Sequence, residues 1–421
     1  MNLYQELLWR GFIYQETEGA REVLSDKGRK VTGYIGFDPT AESLHVGSLL
    51  PIMGLVHLQR YGHTAIAVVG GATGMIGDPS GKSKERILLS EEILRRNQEG
   101  IKRQLEKFLS FSGDNPAIIV NNYDWTANVT IIQFLRDIGK NFTVNYMLSK
   151  ESVKRRLEGE GISFTEFSYM LLQAFDFLHL YDNYNCILQM GGSDQWGNIT
   201  AGIDLIRKVR GGRAYGVVFP LITTASGAKF GKSEEGTIWL DEKLTSPYRF
   251  YQFWINADDR DVIKYLKFFT LLSREEIESL EIELKERPEK RIAHRKLAEE
   301  VTRMVHGEEG LAKAQKATSV LFGGSLEGLS SSELEEIFAH VPSYEITREE
   351  LTGSTIADIA VKSGLVKSKG EAKRLISSGG IYINNLKVDS PGEKISSEHL
   401  IDGKILIFRK GKKGFLLIKT K

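Results

Sequence analysis

The sequence predicts an α/β fold: a doubly wound parallel sheet over residues 1–247, a small helical domain over 248–320, a linker over 321–350 and a basic α+β module over 351–421. Three observations predict it. Short apolar runs of strand type alternate with helical periodicity as far as Pro247, and from that proline to about residue 306 the periodicity is helical only. After residue 350 the charge changes sign: residues 351–421 hold 14 Lys/Arg against 6 Asp/Glu, net +8, in a chain of 421 residues whose overall net charge is +1. A compact basic tail on an otherwise acidic chain points to a nucleic-acid partner, the bland alternative being a solvated lysine-rich surface.

Length and composition set the outer limits. The chain is long enough for two or three domains with a large core. Its single cysteine, Cys186, excludes an internal disulfide and fits a reducing compartment. No run of about 18 apolar residues is present, and the first 24 residues are amphipathic and charged, unlike a signal peptide. The expectation is a cytoplasmic protein with no membrane segment.

In chain order, residues 31–37 read as a strand that breaks at Asp38-Pro39, and 46–61 as a helix. His45 therefore stands at a strand-to-helix turn. The first amides of such a helix lack intrahelical partners and carry the positive end of its dipole, so the turn is a seat for phosphate, and Gly47 lets a ligand come near the backbone. The competing reading is that Thr40 and His45 only cap the helix.

A second strand at 63–69 runs into Gly70-Gly-Ala-Thr-Gly-Met-Ile-Gly77. The spacing nearly matches a dinucleotide fingerprint, which should open a helix, but here it leads to Pro79 and Gly81, a loop. A P-loop would need glycine where Ile76 stands. What remains is Asp78 just past a strand end, with Lys82 and Arg86 following on the loop. Open α/β sheets bind ligands at strand ends, although surface charge explains these residues equally well.

Residues 90–112 form a charged amphipathic helix, 117–121 a third strand leading to Asp124-Trp125, and 128–158 helices with a break near Gly139. Residues 164–179 are apolar nearly all round, which implies a buried helix or a subunit contact. Tyr169, Gln173 and Asp176 fall on one of its faces. An aspartate there is costly unless paired, so Asp176 is a structural acceptor or a ligand reader. A strand at 186–190 precedes Gly191-Gly-Ser-Asp-Gln-Trp-Gly-Asn198, where Asp194 can bind two ribose hydroxyls at once. The next helix ends with Arg207, Lys208 and Arg210, either phosphate ligands or plain surface charge. After a strand at 217–222, Lys229 and Lys232 bracket a glycine in a polar loop, placed to meet polyphosphate charge as it redistributes.

Helices follow at 248–255, 258–272, 274–284 and 290–306, then a Gly/Ser-interrupted segment at 321–332. The last residues show a helix at 369–377 and strands at 381–383, 405–409 and 415–419.

His45-Val-Gly-Ser48 and Lys229-Phe-Gly-Lys-Ser233, in this order, resemble the two signatures of class I aminoacyl-tRNA synthetases, His-Ile-Gly-His and Lys-Met-Ser-Lys-Ser. Ser48 replaces the second histidine, and Phe230-Gly231 replaces Met-Ser. The Gly-Asp-Pro-Ser-Gly and Gly-Gly-Ser-Asp-Gln-Trp-Gly-Asn stretches and the Tyr-x-x-x-Gln-x-x-Asp helix are similar to the bacterial tyrosyl group. The region from Thr355 to Val388 looks like an RNA-binding module also found in ribosomal proteins and pseudouridine synthases. The resemblance implies a Rossmann-like catalytic domain that activates L-tyrosine with ATP and Mg2+ and charges a tRNA, in a homodimer; no DNA partner is expected, and no His/Cys/carboxylate cluster that would bind a structural metal is visible in the sequence.

Carried over residue by residue, the resemblance gives Tyr34 and Asp176 the phenolic hydroxyl, and Tyr169, Gln173 and Asp78 the α-ammonium. Gln195 takes the reacting carboxylate and phosphate. Gly36, Asp38, Gly47, Ser48, Gly192 and Asp194 hold ATP, with Thr40, His45, Lys82, Arg86, Lys229 and Lys232 on its phosphates. Arg207 and Lys208, and in the tail Lys410, Lys412 and Lys413, are left for tRNA. The alternatives are a tryptophan-specific sister enzyme and a synthetase-like RNA-binding protein without catalysis.

Overall fold

The computed structural model describes residues 1–80, 89–159, 161–225, 227, 230–233, 236–321, 323–339, 341–411 and 414–421, with only the backbone of Lys232 and Ser233. The chain divides into two compact units, residues 1–246 with 252–305, and residues 247–251 with 306–421.

The first unit is built on a six-stranded sheet. Its strands are β1 (Gln15–Glu16), β2 (Thr32–Phe37), β3 (Thr64–Val69), β4 (Ile118–Asn121), β5 (Cys186–Gly192) and β6 (Tyr215–Phe219), in the spatial order β1-β6-β5-β2-β3-β4. All neighbours from β6 to β4 are parallel, and only β1 is antiparallel, on β6. The expected strands appear within a few residues of their sequence limits. The exception is β1, two residues long, whose pairing with Val217 and Val218 is too short to leave a periodic signal. Buried parallel strands demand apolar side chains on both faces, as in Ile66, Ala67 and Val68 of β3.

The helix Leu49–Arg60 links β2 to β3, and Phe164–Tyr184 precedes β5. The latter is capped by Ser163, whose side chain accepts from the Glu166 amide, and it ends at Asn185 in the left-handed region. Its first turn is pinned by a buried ion pair between Arg156 and Glu166 at 2.8 Å. Phe177, Leu180 and Ala174 are fully buried, a core contribution of about 1.5–3 kcal/mol for each large side chain. At the helix start, however, Phe164 is 77% exposed.

The Gly-rich stretch after β3 contains a helix of four residues, Thr73–Ile76, ended by Gly77 at φ 88°. Asp78 and Pro79 lie beyond it in irregular backbone, so this is not the long helix that a dinucleotide fingerprint opens.

The second unit carries a five-stranded sheet of Ser343–Ile346, Ile381–Ile383, Leu386–Lys387, Ile405–Lys410 and Gly414–Thr420. The strand Ser343–Ile346 and the helix Ser331–Ile337 lie within the stretch read from the sequence as a linker. The strand pairs in parallel with Gly414–Thr420, a partner far along the chain, and four residues with one buried side chain give no local sign of it.

Candidate active site

The chain winds from β2 to β3 and β4 on one side, and from β5 to β6 on the other. The crevice between β2 and β5 is therefore the switch point, where open α/β sheets bind ligands. A pocket of about 460 Å3 lies there, within the usual size range for small-molecule sites.

Its inner end is polar but buried. Tyr34 of β2 lies beside Gln189 of β5 in register, with its ring edge-on to Phe177 at 5.3 Å. The Tyr34 hydroxyl is buried with no hydrogen-bond partner among the described residues. Burial, and then the charge of Asp176, hold that phenol well above its ordinary pKa, so it is neutral. Asp176 accepts from Trp125 Nε1 at 2.8 Å and from Asn122 Nδ2 at 2.9 Å. Burial raises its carboxyl to about 7, against the pull of these two donors.

From Asn122 the network runs outward. Asn122 Nδ2 also donates to Thr73 Oγ1, and the Thr73 hydroxyl donates to Asp38 Oδ1 at 2.8 Å. The Tyr169 hydroxyl donates to the other Asp38 oxygen at 2.8 Å, which leaves its lone pairs for an incoming donor. On the opposite wall Gln195 Nε2 donates to Asp78 Oδ2 at 2.7 Å, and the Ser80 amide to Asp78 Oδ1 at 2.9 Å. Asn198 Nδ2 lies 3.2 Å from Gln173 Oε1 and 3.1 Å from Gln195 Oε1. Tyr169, Gln173, Asp38 and Asp78 thus line one volume with a phenol oxygen, an amide oxygen and two carboxylates, a constellation complementary to an ammonium.

The outer end is mostly backbone. Gly36 is exposed on β2, and a Cβ built there meets nothing within 4 Å, so the strand presents bare peptide to the pocket. His45 caps the short turn Val46–Ser48, its Nδ1 accepting from the Gly47 amide at 3.0 Å. That bond places the ring proton on Nε2. A Cβ on Gly47 would lie 2.7 Å from His45 Cε1, so glycine is required by this arrangement. Both readings of His45 coexist: it is a helix cap and it lines the pocket. Thr40, Ser48, Gly192 and Asp194 also line the pocket. The segment around His45 is paired with 238–240, through Val46 N to Ile238 O at 3.0 Å and Leu240 N to Leu44 O at 2.9 Å.

The remaining expected residues lie elsewhere or outside the described residues. Lys82, Arg86, Lys229, Lys412 and Lys413 fall outside the described residues, as does the side chain of Lys232. Arg207 and Lys208 lie on the helix Trp196–Arg210, both paired with Asp204, and Lys410 pairs with Glu371 at 2.8 Å. Sequence reading gives no role to Asn122, Trp125, Thr73, Gln189 or Asn198. The first two follow the end of β4, where strand-end logic could flag them. Gln189 is visible as the polar residue inside an apolar strand.

Among the described residues no helix is long and apolar enough to cross a membrane. The family model described as tRNA synthetases class I (W and Y) matches residues 26–323, and that of the tyrosine–tRNA ligase SYY-like C-terminal domain matches 333–418. The tyrosine–tRNA ligase of Roseiflexus castenholzii is 53% identical over 421 residues, 99% of either chain. That of Geobacillus stearothermophilus is 53% identical over 423 residues, covering 100% of both. Among solved structures, a C-terminally truncated mitochondrial tyrosyl-tRNA synthetase of Aspergillus nidulans aligns with a TM-score of 0.69 and 31% identity, over 76% of this chain and 94% of that one. A class I model over the sheet unit, a tyrosyl-type model over the tail and full-length likeness to tyrosine enzymes leave neither alternative standing, and the chain belongs to the tyrosine–tRNA ligases of the class I synthetases.

Proposed function

We propose that the pocket holds tyrosine with its ring inward and ATP at the outer end, and that the side chains divide the work of this ATP-consuming ligase. The carrying observation is the Tyr34 hydroxyl, buried and unpartnered among the described residues, beside a carboxylate that already accepts from two donors. A buried polar atom without a partner is unfavourable by about 1–3 kcal/mol, and a ligand hydroxyl relieves it. Tyr34 and Asp176 then read the phenol, while Tyr169, Gln173 and Asp78 receive the ammonium. Gln195 lies beside them for the carboxylate, and releases its bond to Asp78 when the ammonium arrives.

Tyrosine's carboxylate attacks the α-phosphate of ATP, pyrophosphate leaves, and the adenylate passes tyrosine to the terminal ribose of the tRNA. No side chain need act as nucleophile or general base. Catalysis comes from holding the reactants in line and from donors at the phosphates: Thr40, the His45 Nε2–H, the 46–48 amides and Lys82, Arg86, Lys229 and Lys232. Asp194, with Gly36, Asp38, Gly47, Ser48 and Gly192, takes the nucleoside. Mg2+ would arrive with ATP through its phosphate oxygens. Arg207 and Lys208 contact the acceptor end of the tRNA, in a cytoplasmic setting, while activation uses the chain before about residue 320 and the tail lysines beyond it capture the RNA.

We also infer a homodimer, supported by exposed apolar side chains at Ile131, Ile132, Leu135, Val144 and Phe164. Amino-acid-dependent ATP–pyrophosphate exchange tests the main reading. Exchange with tyrosine and none with phenylalanine or tryptophan is expected, and exchange with phenylalanine at a comparable rate would refute the hydroxyl reader.

A further inference from the structure

The departure of the second signature, Phe230-Gly231 in place of Met-Ser, has a structural counterpart that the proposed chemistry does not use. Phe230 is 5% exposed. Its ring stacks on Phe269 at 5.4 Å with 7° between planes, and it meets Tyr265, Phe253 and Trp254 at centroid distances of 5.1, 5.7 and 5.9 Å. A cup of four aromatic rings is a deep seat for a residue in a polar loop, since aromatic pairs stabilise by about 0.5–1.5 kcal/mol beyond area burial.

Two of the four rings stand on one rail. Asp261, Tyr265 and Phe269 are spaced i, i+4 and i+8 along the helix Val262–Phe269 and its N-cap, and so share a face. Asp261 Oδ2 accepts from the Ala225 amide at 2.7 Å, so the same face holds the chain five residues before Phe230 as well. The rail is itself fixed. The buried Arg10 guanidinium donates to the carbonyls of Lys267, Thr270 and Leu272 at its C-terminal end.

On the other side the segment abuts the first signature. Gly231 has φ 84°, and a Cβ there would lie 2.9 Å from Val46 Cγ2. The Gly231 carbonyl accepts from the Ile238 amide at 3.1 Å, and the Ile238 carbonyl accepts from the Val46 amide. The two signatures are thus joined through one short stretch of backbone, with Phe230 as its plug.

We propose that Phe230 is a positioning residue. Seated in the aromatic cup, with Gly231 against Val46, it sets the register of the flanking Lys229 and Lys232 relative to the His45 turn, and so the place at which their charge meets phosphate. This rests on the reading of those lysines as phosphate ligands. Phe230 does not line the pocket, so it acts through the transition state the lysines serve and leaves tyrosine binding alone.

The test measures single-turnover adenylate formation and the tyrosine dissociation constant for Phe230→Ala, Phe230→Met, Lys232→Ala and Phe230→Ala with Lys232→Ala. Phe230→Ala should slow adenylate formation at least about tenfold with tyrosine affinity within about twofold, and Phe230→Met, which refills the cup, should recover most of the rate. The double variant should fall no more than about threefold below Lys232→Ala, because a displaced lysine has little left to lose. A Phe230→Ala rate within about twofold of the parent overturns the proposal, as do fully additive losses or a proportional loss of tyrosine affinity. If Lys232→Ala itself keeps the parental rate, the phosphate reading of the lysine fails and the positioning role fails with it. If Lys232→Ala is slow and Phe230→Ala is not, only the positioning role fails.

Discussion

The two ends of the pocket are made differently. At the inner end, side chains from five separate stretches satisfy one another: Asp176 with Asn122 and Trp125, Asp38 with Thr73 and Tyr169, Asp78 with Gln195. At the outer end the recognisable groups among the described residues are backbone and a histidine locked to the amide two residues on, to which the proposed reading adds lysines from the neighbouring loops. On the proposed reading the difference separates specificity from rate. A buried, mutually hydrogen-bonded network can refuse a ligand that lacks one hydroxyl, because its polar groups would stay unpaired. Charge that develops in a transition state is met instead by amides and cations held near its path.

Removing the acceptor at the inner end should have the largest effect. Asp176→Ala should abolish useful tyrosine activation and collapse discrimination against phenylalanine. The family's tyrosyl enzyme is itself the standard example of hydroxyl-based discrimination, about 10⁵, and that magnitude is borrowed here. A folded variant with near-parental tyrosine selectivity would break the comparison at its first point.

At the outer end, Lys229→Ala or Lys232→Ala should slow adenylate formation by about 10²–10³ while tyrosine affinity stays near parental, as read by single-turnover kinetics. Equal losses in affinity and rate would mean that the loop is structural.

A subtler probe is pH. The Asp176 carboxyl sits near 7 in the folded protein because burial disfavours its charge, and its ordinary value is 3.8. Only the ionised form is a charged acceptor for the phenol, so tyrosine affinity should rise as pH increases from about 6 to about 8. Stability runs the other way. The folded state holds this proton more tightly than the unfolded chain, so the contribution is full below about 3.8 and is lost as pH rises through about 7. Trp125→Phe removes a donor that stabilises the ionised form. It should move the affinity profile to higher pH and weaken tyrosine binding by about tenfold at pH 7.

These expectations also mark what the sequence could disclose. The outer end was legible because its parts are contiguous: a strand, a break, His45, Gly47 and a helix fall within one short run. The parallel sheet was legible for the same reason, buried strands such as β3 and β6 being uninterrupted apolar runs. Asn122 and Gln189 leave only a local hint, and the roles of both, like that of Thr73, exist only when β2, β4, β5 and the 164–184 helix converge. The Ser343–Ile346 strand was hidden likewise, its partner lying at the far end of the tail.

The smallest effect is expected from the basic tail. Replacing Lys410, Lys412 and Lys413 with Ala should flatten the salt dependence of tRNA binding by about 0.7–0.9 in log–log slope for each phosphate no longer neutralised, and leave pyrophosphate exchange unchanged.

The separation of the two ends is tested most directly by measuring tyrosine affinity and the adenylate-forming rate at saturating tyrosine in two variants, Asn122→Ala and Lys232→Ala. The division predicts opposite outcomes. Asn122→Ala should bind tyrosine about ten times more weakly yet react at near-parental rate once saturated. Lys232→Ala should bind tyrosine normally and react slowly. Should each variant lose affinity and rate together, recognition and catalysis are not divided between the two ends of this pocket.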